Sequence, residues 1–304
     1  MSENSESRIL EFSIIGTIFF AAFGVIWGMF IKSKMIVFDG LYSLVSVGLS
    51  LLSLYVCNFI KVNNNKEFPF GKYILEPLVI SINSVIIIIM CLLSLVDAIK
   101  VLLDGGNSVN PGLAIVYSVV STVGSIFVYG FIIKAGKKQQ SELIKLEGVQ
   151  WLVDGAISAA VLGGFILAII VSRTSFAHLT RYIDPMMLIV TSLVCLRLPI
   201  KTFLNSFKEI IGGTVPQDIN NSVNKSVNGI KEEYKFQGAI TKVLKIGRSV
   251  RIEVDFIFDK NSNIKDLEEM DMIREKLNNE IQALNYYKNI NVLFTGNKKT
   301  CVIN

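Results

Sequence analysis

Two short polar patterns interrupt an otherwise apolar run within a chain of 304 residues. The first is Asp39, Tyr42, Ser43 and Ser46, in the stretch Val37-Phe38-Asp39-Gly40-Leu41-Tyr42-Ser43-Leu44-Val45-Ser46. On a helix these fall at i, i+3, i+4 and i+7 and share one face. The second is Glu147, Gln150 and Asp154, at i, i+3 and i+7. An acid inside an apolar segment is costly in a bilayer and serves an ion path or a partner. Two carboxylates with hydroxyl and amide oxygens make a hard donor set, suited to Mn²⁺ or Mg²⁺. Carboxylates also accept protons when a cation leaves, which permits exchange. The expectation is that the two faces meet, with Asp39 and Asp154 as the charged groups and Gln150, Ser43, Tyr42 and Ser46 as further ligands.

Each of these residues also has a plainer reading. Asp39 and Asp154 could be packing acids bonded to neighbouring hydroxyls, and Tyr42, Ser43 and Ser46 could be packing hydroxyls, since small polar residues line helix contacts in membranes. Glu147 lies near the inner end of its span and could face cytoplasmic water. Glu76 and Asn83, seven apart, are supporting polar candidates, though Glu76 equally suits an inner boundary; Asp184 is another. Asp97 is expected to pair with Lys100. The single histidine, His178, falls in an outer loop, so imidazole ligation inside the membrane is excluded. Zinc favours Cys and His in tetrahedral geometry and is disfavoured as the main cargo, while staying among the candidates. The four cysteines have no CxxC spacing and imply neither a structural zinc site nor a disulfide framework. No resident cofactor is expected; a divalent cation would be substrate.

Half of the residues are hydrophobic and only 18% are charged. That balance describes a multispanning membrane protein followed by a smaller polar domain. No basic stripe suggests a nucleic-acid partner. Six runs meet the length of roughly 20 residues that a bilayer core requires: residues 9–31, 36–60, 75–103, 111–135, 148–172 and 183–210. The acidic start lacks the basic region of a cleaved signal, so the first run is read as a retained span. Lys61, Lys66, Lys72, Lys137, Lys138 and Lys145 collect on one set of connections, which the positive-inside rule assigns to the cytoplasm together with both termini. An ordinary plasma membrane is the default location. In this orientation Asp39 sits about one turn inside the outer end of its span, whereas Asp154 lies nearer the middle of its own.

After Gly212-Gly213 the chain becomes polar, giving a division into residues 1–212 and 213–304. Residues 217–231 read as an amphipathic helix, and residues 236–246 and 249–258 as two strands around a tight turn at Gly247. The second strand alternates Val250, Ile252, Val254, Phe256 and Phe258 with Arg251, Glu253 and Asp255. A helix is expected over 263–284, capped by Asn263, and a third strand over 290–294. The order α-β-β-α-β makes a small α+β sandwich.

Phe70-Gly71, then Glu76, then Asn83 resembles the entry to the third helix of the cation diffusion facilitators, which have an aromatic-Gly pair, a Glu and an Asn seven residues on. Phe38-Asp39-Gly40-Leu41-Tyr42-Ser43 is similar to their second-helix Ala-Asp-x-x-His-Ser run, and Asp184-Pro185 and the α-β-β-α-β tail also fit. The resemblance covers nearly the whole chain. It implies a homodimeric six-helix transporter that exports divalent metal ions in exchange for protons, with a ferredoxin-like cytoplasmic domain that dimerises. The family uses four ligands, two on helix two and two on helix five. Matched without gaps, these fall on Tyr42, Ser46, Leu146 and Gln150, none of them Asp or His. The site is therefore expected to be shifted outward onto Asp39 and Asp154. The alternatives are a monovalent or organic cargo, or a non-transporting partner or sensor subunit.

Overall fold

The computed structural model describes residues 3–61, 68, 71–136, 142–213, 215–247, 249–264, 266–281 and 287–296. The elements are α1 (Glu3–Ile31), α2 (Lys34–Lys61), α3 (Leu75–Leu103), α4 (Pro111–Gly136) and α5 (Glu142–Ser172). A 3-10 turn over Ala177–Tyr182 leads into α6 (Ile183–Ile210), followed by α7 (Gln217–Glu233), β1 (Gly238–Ile246), β2 (Ser249–Ile257), α8 (Leu267–Glu280) and β3 (Tyr287–Thr295). Among the described residues, five stretches are long and apolar enough to cross a membrane: Glu11–Ile31, Leu75–Leu103, Pro111–Lys134, Trp151–Ser172 and Ala177–Ile210. The remaining long helix, α2, has 28 residues and carries the polar pattern around Asp39; it stands outside that set.

Packing divides the chain into two compact units, residues 1–52 with 83–201 and residues 53–82 with 202–304. The last turns of α2 and α6 and the first turns of α3 thus join the C-terminal elements, while the change in composition comes later, at 212/213.

In the first unit α1 and α2 meet backbone to backbone. A Cβ on Gly40 would lie 2.6 Å from the Val25 nitrogen and 2.8 Å from the Ala21 carbonyl oxygen. One on Gly28 would lie 2.7 Å from the Val37 nitrogen. Lipid tails give helices no hydrophobic reason to associate, so close approach through small residues supplies the attraction. Phe38, Cys91, Tyr117, Phe165 and Leu188 fill the apolar interior beside this contact. Asp97 forms its ion pair with Lys34 Nζ, at 2.9 Å, and not with the expected Lys100. The cause is tertiary: packing brings the first residue of α2 against α3.

In the second unit β2 is central, antiparallel to β1 and parallel to β3. A parallel pair needs a crossover, and α8 provides it. Val250, Ile252, Val254 and Phe256 point to the covered face and are fully buried, against Ile219, Val223, Val227 and Ile230 of α7 and Ile273 and Leu277 of α8. Burying each such side chain contributes about 1.5–3 kcal/mol. Phe236, Phe256 and Phe294 stack in the same core, with ring centres 4.6 and 5.8 Å apart. The cap of α8 is Asp266, whose carboxylate accepts the Glu269 amide at 3.0 Å. Asn263, expected in that role, lies outside the helix, and its backbone N–H donates to the Tyr234 carbonyl. Gly247 occupies the hairpin turn with φ of 55°, a conformation that favours glycine. Its amide and Lys245 Nζ both donate to Glu209, at 3.1 and 2.6 Å.

Candidate functional site

Asp39 is buried, and its Oδ2 accepts the Tyr117 hydroxyl at 2.9 Å. It lines a small cavity together with Thr17 and Phe20 of α1, Ser43 of α2, Tyr117, Ser121 and Ser125 of α4, and Trp151, Asp154 and Ser158 of α5. The cavity volume is about 20 Å³, room for about one water-sized occupant. Among the described residues no lysine or arginine lines it, so with both acids ionised its formal charge is negative.

Helical spacing builds the lining. On α4, Tyr117, Ser121 and Ser125 recur every four residues, and on α5, Trp151, Asp154 and Ser158 fall at i, i+3 and i+7. The two lines are joined by a hydrogen bond of 2.8 Å between Ser121 Oγ and Ser158 Oγ. Gly155 permits the approach: a Cβ there would lie 3.2 Å from Cβ of Ser125. Trp151 is held by its Nε1–H, which donates to Ser13 Oγ at 2.6 Å, and by an edge-on contact with Phe20. Gly24 makes room for Tyr117, since a Cβ there would sit 2.7 Å from the phenolic oxygen. The axial positions of Asp39 and Asp154 differ, about 7 Å from the start of α2 and about 27 Å from the end of α5 at 1.5 Å per residue. Both nonetheless line the same small cavity.

The sequence-derived candidates separate in space. Asp39, Ser43 and Asp154 line the cavity, while Tyr42 and Ser46 do not. Tyr42 stands 60° round the helix from Asp39, on the side away from Ser43, where its ring packs near Phe38 against the apolar core. Ser46 shares the azimuth of Asp39 but lies about 10 Å farther along the axis. The side chains of Glu147, Gln150 and Leu146 lie outside the described residues, although their backbone belongs to α5. Asn83, on α3, is not part of the lining. Glu76 belongs to the second unit, where a Cβ on Gly247 would come within 2.7 Å of its Oε2.

Asp184 has a different task. Its Oδ1 accepts Ser33 Oγ at 2.6 Å and the Met35 amide at 3.4 Å; its Oδ2 accepts the Lys34 amide at 2.9 Å and Asn107 Nδ2 at 3.3 Å. It caps the start of α2 from another helix, satisfying amides that a helix N-terminus leaves open. Asn107 also donates to the Lys32 carbonyl.

Sequence reasoning passed over Thr17, Tyr117, Ser121, Ser125 and Ser158. A signal for them was present in the four-residue recurrence of hydroxyls on α4. Among the described residues there is no group of three or more His, Cys, Asp or Glu arranged to hold a metal ion, so the donor set here is two carboxylates and hydroxyls.

Comparison with known proteins agrees with the resemblance in the motifs. The manganese efflux system protein MneP of Bacillus subtilis (strain 168) is 26% identical over 177 residues, which is 58% of this chain and 59% of that protein. The matched region thus spans less than two thirds of that relative. The family model described as the cation efflux transmembrane domain matches residues 10–211. That range contains α2 with Asp39 and α5 with Asp154, and with two thirds of its length covered this chain belongs to the cation efflux family, the cation diffusion facilitators.

Proposed function

We propose that the chain exports a divalent metal cation through the cavity between Asp39 and Asp154, in exchange for protons. The observation that carries this reading is the pair of acids on one water-sized cavity without a basic side chain among its described lining. Two ionised carboxylates in a low-dielectric interior need neutralisation there. One divalent cation or two protons can supply it, and each occupancy excludes the other. That exclusion is the physical basis of exchange. The oxygen donors favour a hard ion, Mn²⁺ or Mg²⁺, over Zn²⁺, and the named activity of the manganese efflux relative is consistent with this choice. In this reading six helices cross the plasma membrane with both termini cytoplasmic, and the C-terminal α-β-β-α-β unit, of ferredoxin-like type, holds a homodimer.

A second reading is a non-transporting subunit of the same fold. The packing of half-buried Tyr42 against the apolar core, at a position where family members carry a ligand, favours it. Purified protein in liposomes separates the two: flux of Mn²⁺, Mg²⁺, Zn²⁺ and Co²⁺ is followed under a pH gradient, with Asp39→Asn and Asp154→Asn alongside. Transport of a hard ion that both substitutions abolish is expected. Absence of divalent flux in the wild type would favour the silent subunit, and flux surviving both substitutions would move the path elsewhere. Truncation after Gly212 should weaken the dimer in detergent, and an unchanged mass by light scattering would refute the dimerisation role.

A further inference from the structure

The first unit also carries an apolar groove that shares no residue with the cation cavity. It runs between α5 and α6, lined by Ala160, Gly164 and Leu167 on one side and Met186, Met187 and Val190 on the other. Met187 crosses toward α5, where Gly164 leaves its thioether the space that a Cβ would fill. The groove volume is about 380 Å³, within the range of about 300–1,000 Å³ that small-molecule sites occupy. Ala160, Met186 and Val190 are exposed, so the groove opens sideways from segments long and apolar enough to cross a membrane. A surface that opens there meets lipid.

One end of the groove is cationic. Tyr182 lines that end, and the connection over residues 173–182 holds Arg173, His178 and Arg181 without an Asp or Glu. Arg181 directly precedes Tyr182, and Arg173 follows Leu167 by six residues, about 9 Å at the helical rise. The backbone of Arg181 is fixed, because its carbonyl accepts the Asn107 amide at 2.7 Å. Its stem lies against Gly106, where a Cβ would come within 2.7 Å of Cγ. Asp184, the nearest acid in sequence, commits its oxygens to Ser33, Asn107 and the amides that open α2. Asp104, on the α3–α4 turn, is exposed, and among the described residues no ion pair joins a carboxylate to either arginine. Phe176 and Leu179 are exposed on the same connection. Apolar side chains beside cations suit a segment lying in the headgroup layer.

We propose that the groove binds one anionic phospholipid of the leaflet at that end, with an acyl chain between α5 and α6 and its phosphate on Arg173 and Arg181. The apolar walls take hydrocarbon, and a guanidinium matches two phosphate oxygens at once. Charge selects the occupant: a zwitterionic headgroup brings an ammonium that finds no acid on this connection, whereas net negative charge is drawn to it. The bound lipid fills the gap between α6 and α5, the helix that carries Asp154. The site does not depend on the transport reading.

Full-length protein in detergent, mixed with equal amounts of phosphatidylglycerol and phosphatidylcholine, tests this by native mass spectrometry. The wild type should retain one phosphatidylglycerol in roughly tenfold preference, the scale set by two cations near a headgroup. Arg173→Gln/Arg181→Gln should bring the two lipids to near parity, and Arg173→Lys/Arg181→Lys, which keeps both charges, should hold most of the preference. Ala160→Trp fills the groove and should remove the retained lipid, whereas Val123→Trp, at an exposed position on α4, should not. A wild type without the preference, or the same preference in the double glutamine variant, would overturn the site. Displacement of the lipid by inorganic phosphate would mark a free-anion site and overturn the lipid assignment. A dimer that Ala160→Trp splits, with lipid retention unchanged, would make the groove a contact between copies and overturn it too.

Discussion

Two buried acids in the first unit, Asp184 and Asp39, have opposite surroundings. A carboxylate offers about four lone-pair sites. Asp184 fills its sites with Ser33 Oγ, the Lys34 and Met35 amides and Asn107 Nδ2. Asp39 accepts the Tyr117 hydroxyl, among the described residues, and faces a cavity shared with Asp154. The first acid has no lone pair left for an incoming cation, and each of its donors belongs to a helix start or a turn. The second keeps coordination capacity beside a space of the right size. Burial of an acid in a membrane helix therefore says little about function until its donors are counted. A saturated carboxylate is architecture, and an unsaturated one beside a cavity is a site.

The sharpest way to break this contrast is to neutralise each acid and read transport and stability separately. Asp39→Asn should lower Mn²⁺ flux by at least a hundredfold while leaving thermal unfolding in detergent near wild type; equal losses of both would erase the distinction. Mn²⁺ affinity should rise with pH, because protons and the ion compete for the same oxygens. The limit for two protons per ion is about a hundredfold per pH unit. Titration calorimetry at several pH values measures the slope, and a flat profile would remove the exchange chemistry. Asp184→Ala should show the reverse pattern, costing about 3 kcal/mol through the buried donors it strands. Asp184→Asn, which keeps one acceptor oxygen, should cost less. Gly40→Ala forces α2 away from the α1 backbone and should destabilise by about 1–3 kcal/mol, with reduced flux because Asp39 moves with its helix. The smallest effect belongs to the second unit. Glu209→Gln weakens a partly exposed contact worth about 1 kcal/mol or less, and faster hydrogen exchange at the Gly247 amide is the expected sign.

The elements themselves were legible from local patterns. The alternation Val250, Ile252, Val254, Phe256 marks β2 because a strand points successive side chains to opposite faces, and the structure buries those four side chains. The long apolar runs marked the helices, and the cost of charge in lipid singled out Asp39 and Asp154. Neighbouring positions were harder to read. A membrane helix is apolar all round, so periodicity does not say which side faces the bundle. That is why Tyr42 and Ser46 were grouped with Asp39, although the cavity lies on the Ser43 side. Asn263 was a reasonable local cap for α8, but the helix is capped by Asp266, and the Asn263 backbone N–H pairs with Tyr234.

The amino-acid order by itself determined where the helices and strands run and which acids lie inside the apolar segments, because those follow from local periodicity and transfer cost. Only the tertiary structure decided that Tyr117 from α4 reaches Asp39. It also decided that Ser121 meets Ser158 and that Asp184 closes the start of α2. Those partners lie on different helices, and close approaches at Gly24, Gly40 and Gly155 let the helices that carry them pack together. Close packing between helices in lipid depends on the shape of whole faces, and no short stretch of sequence contains that shape.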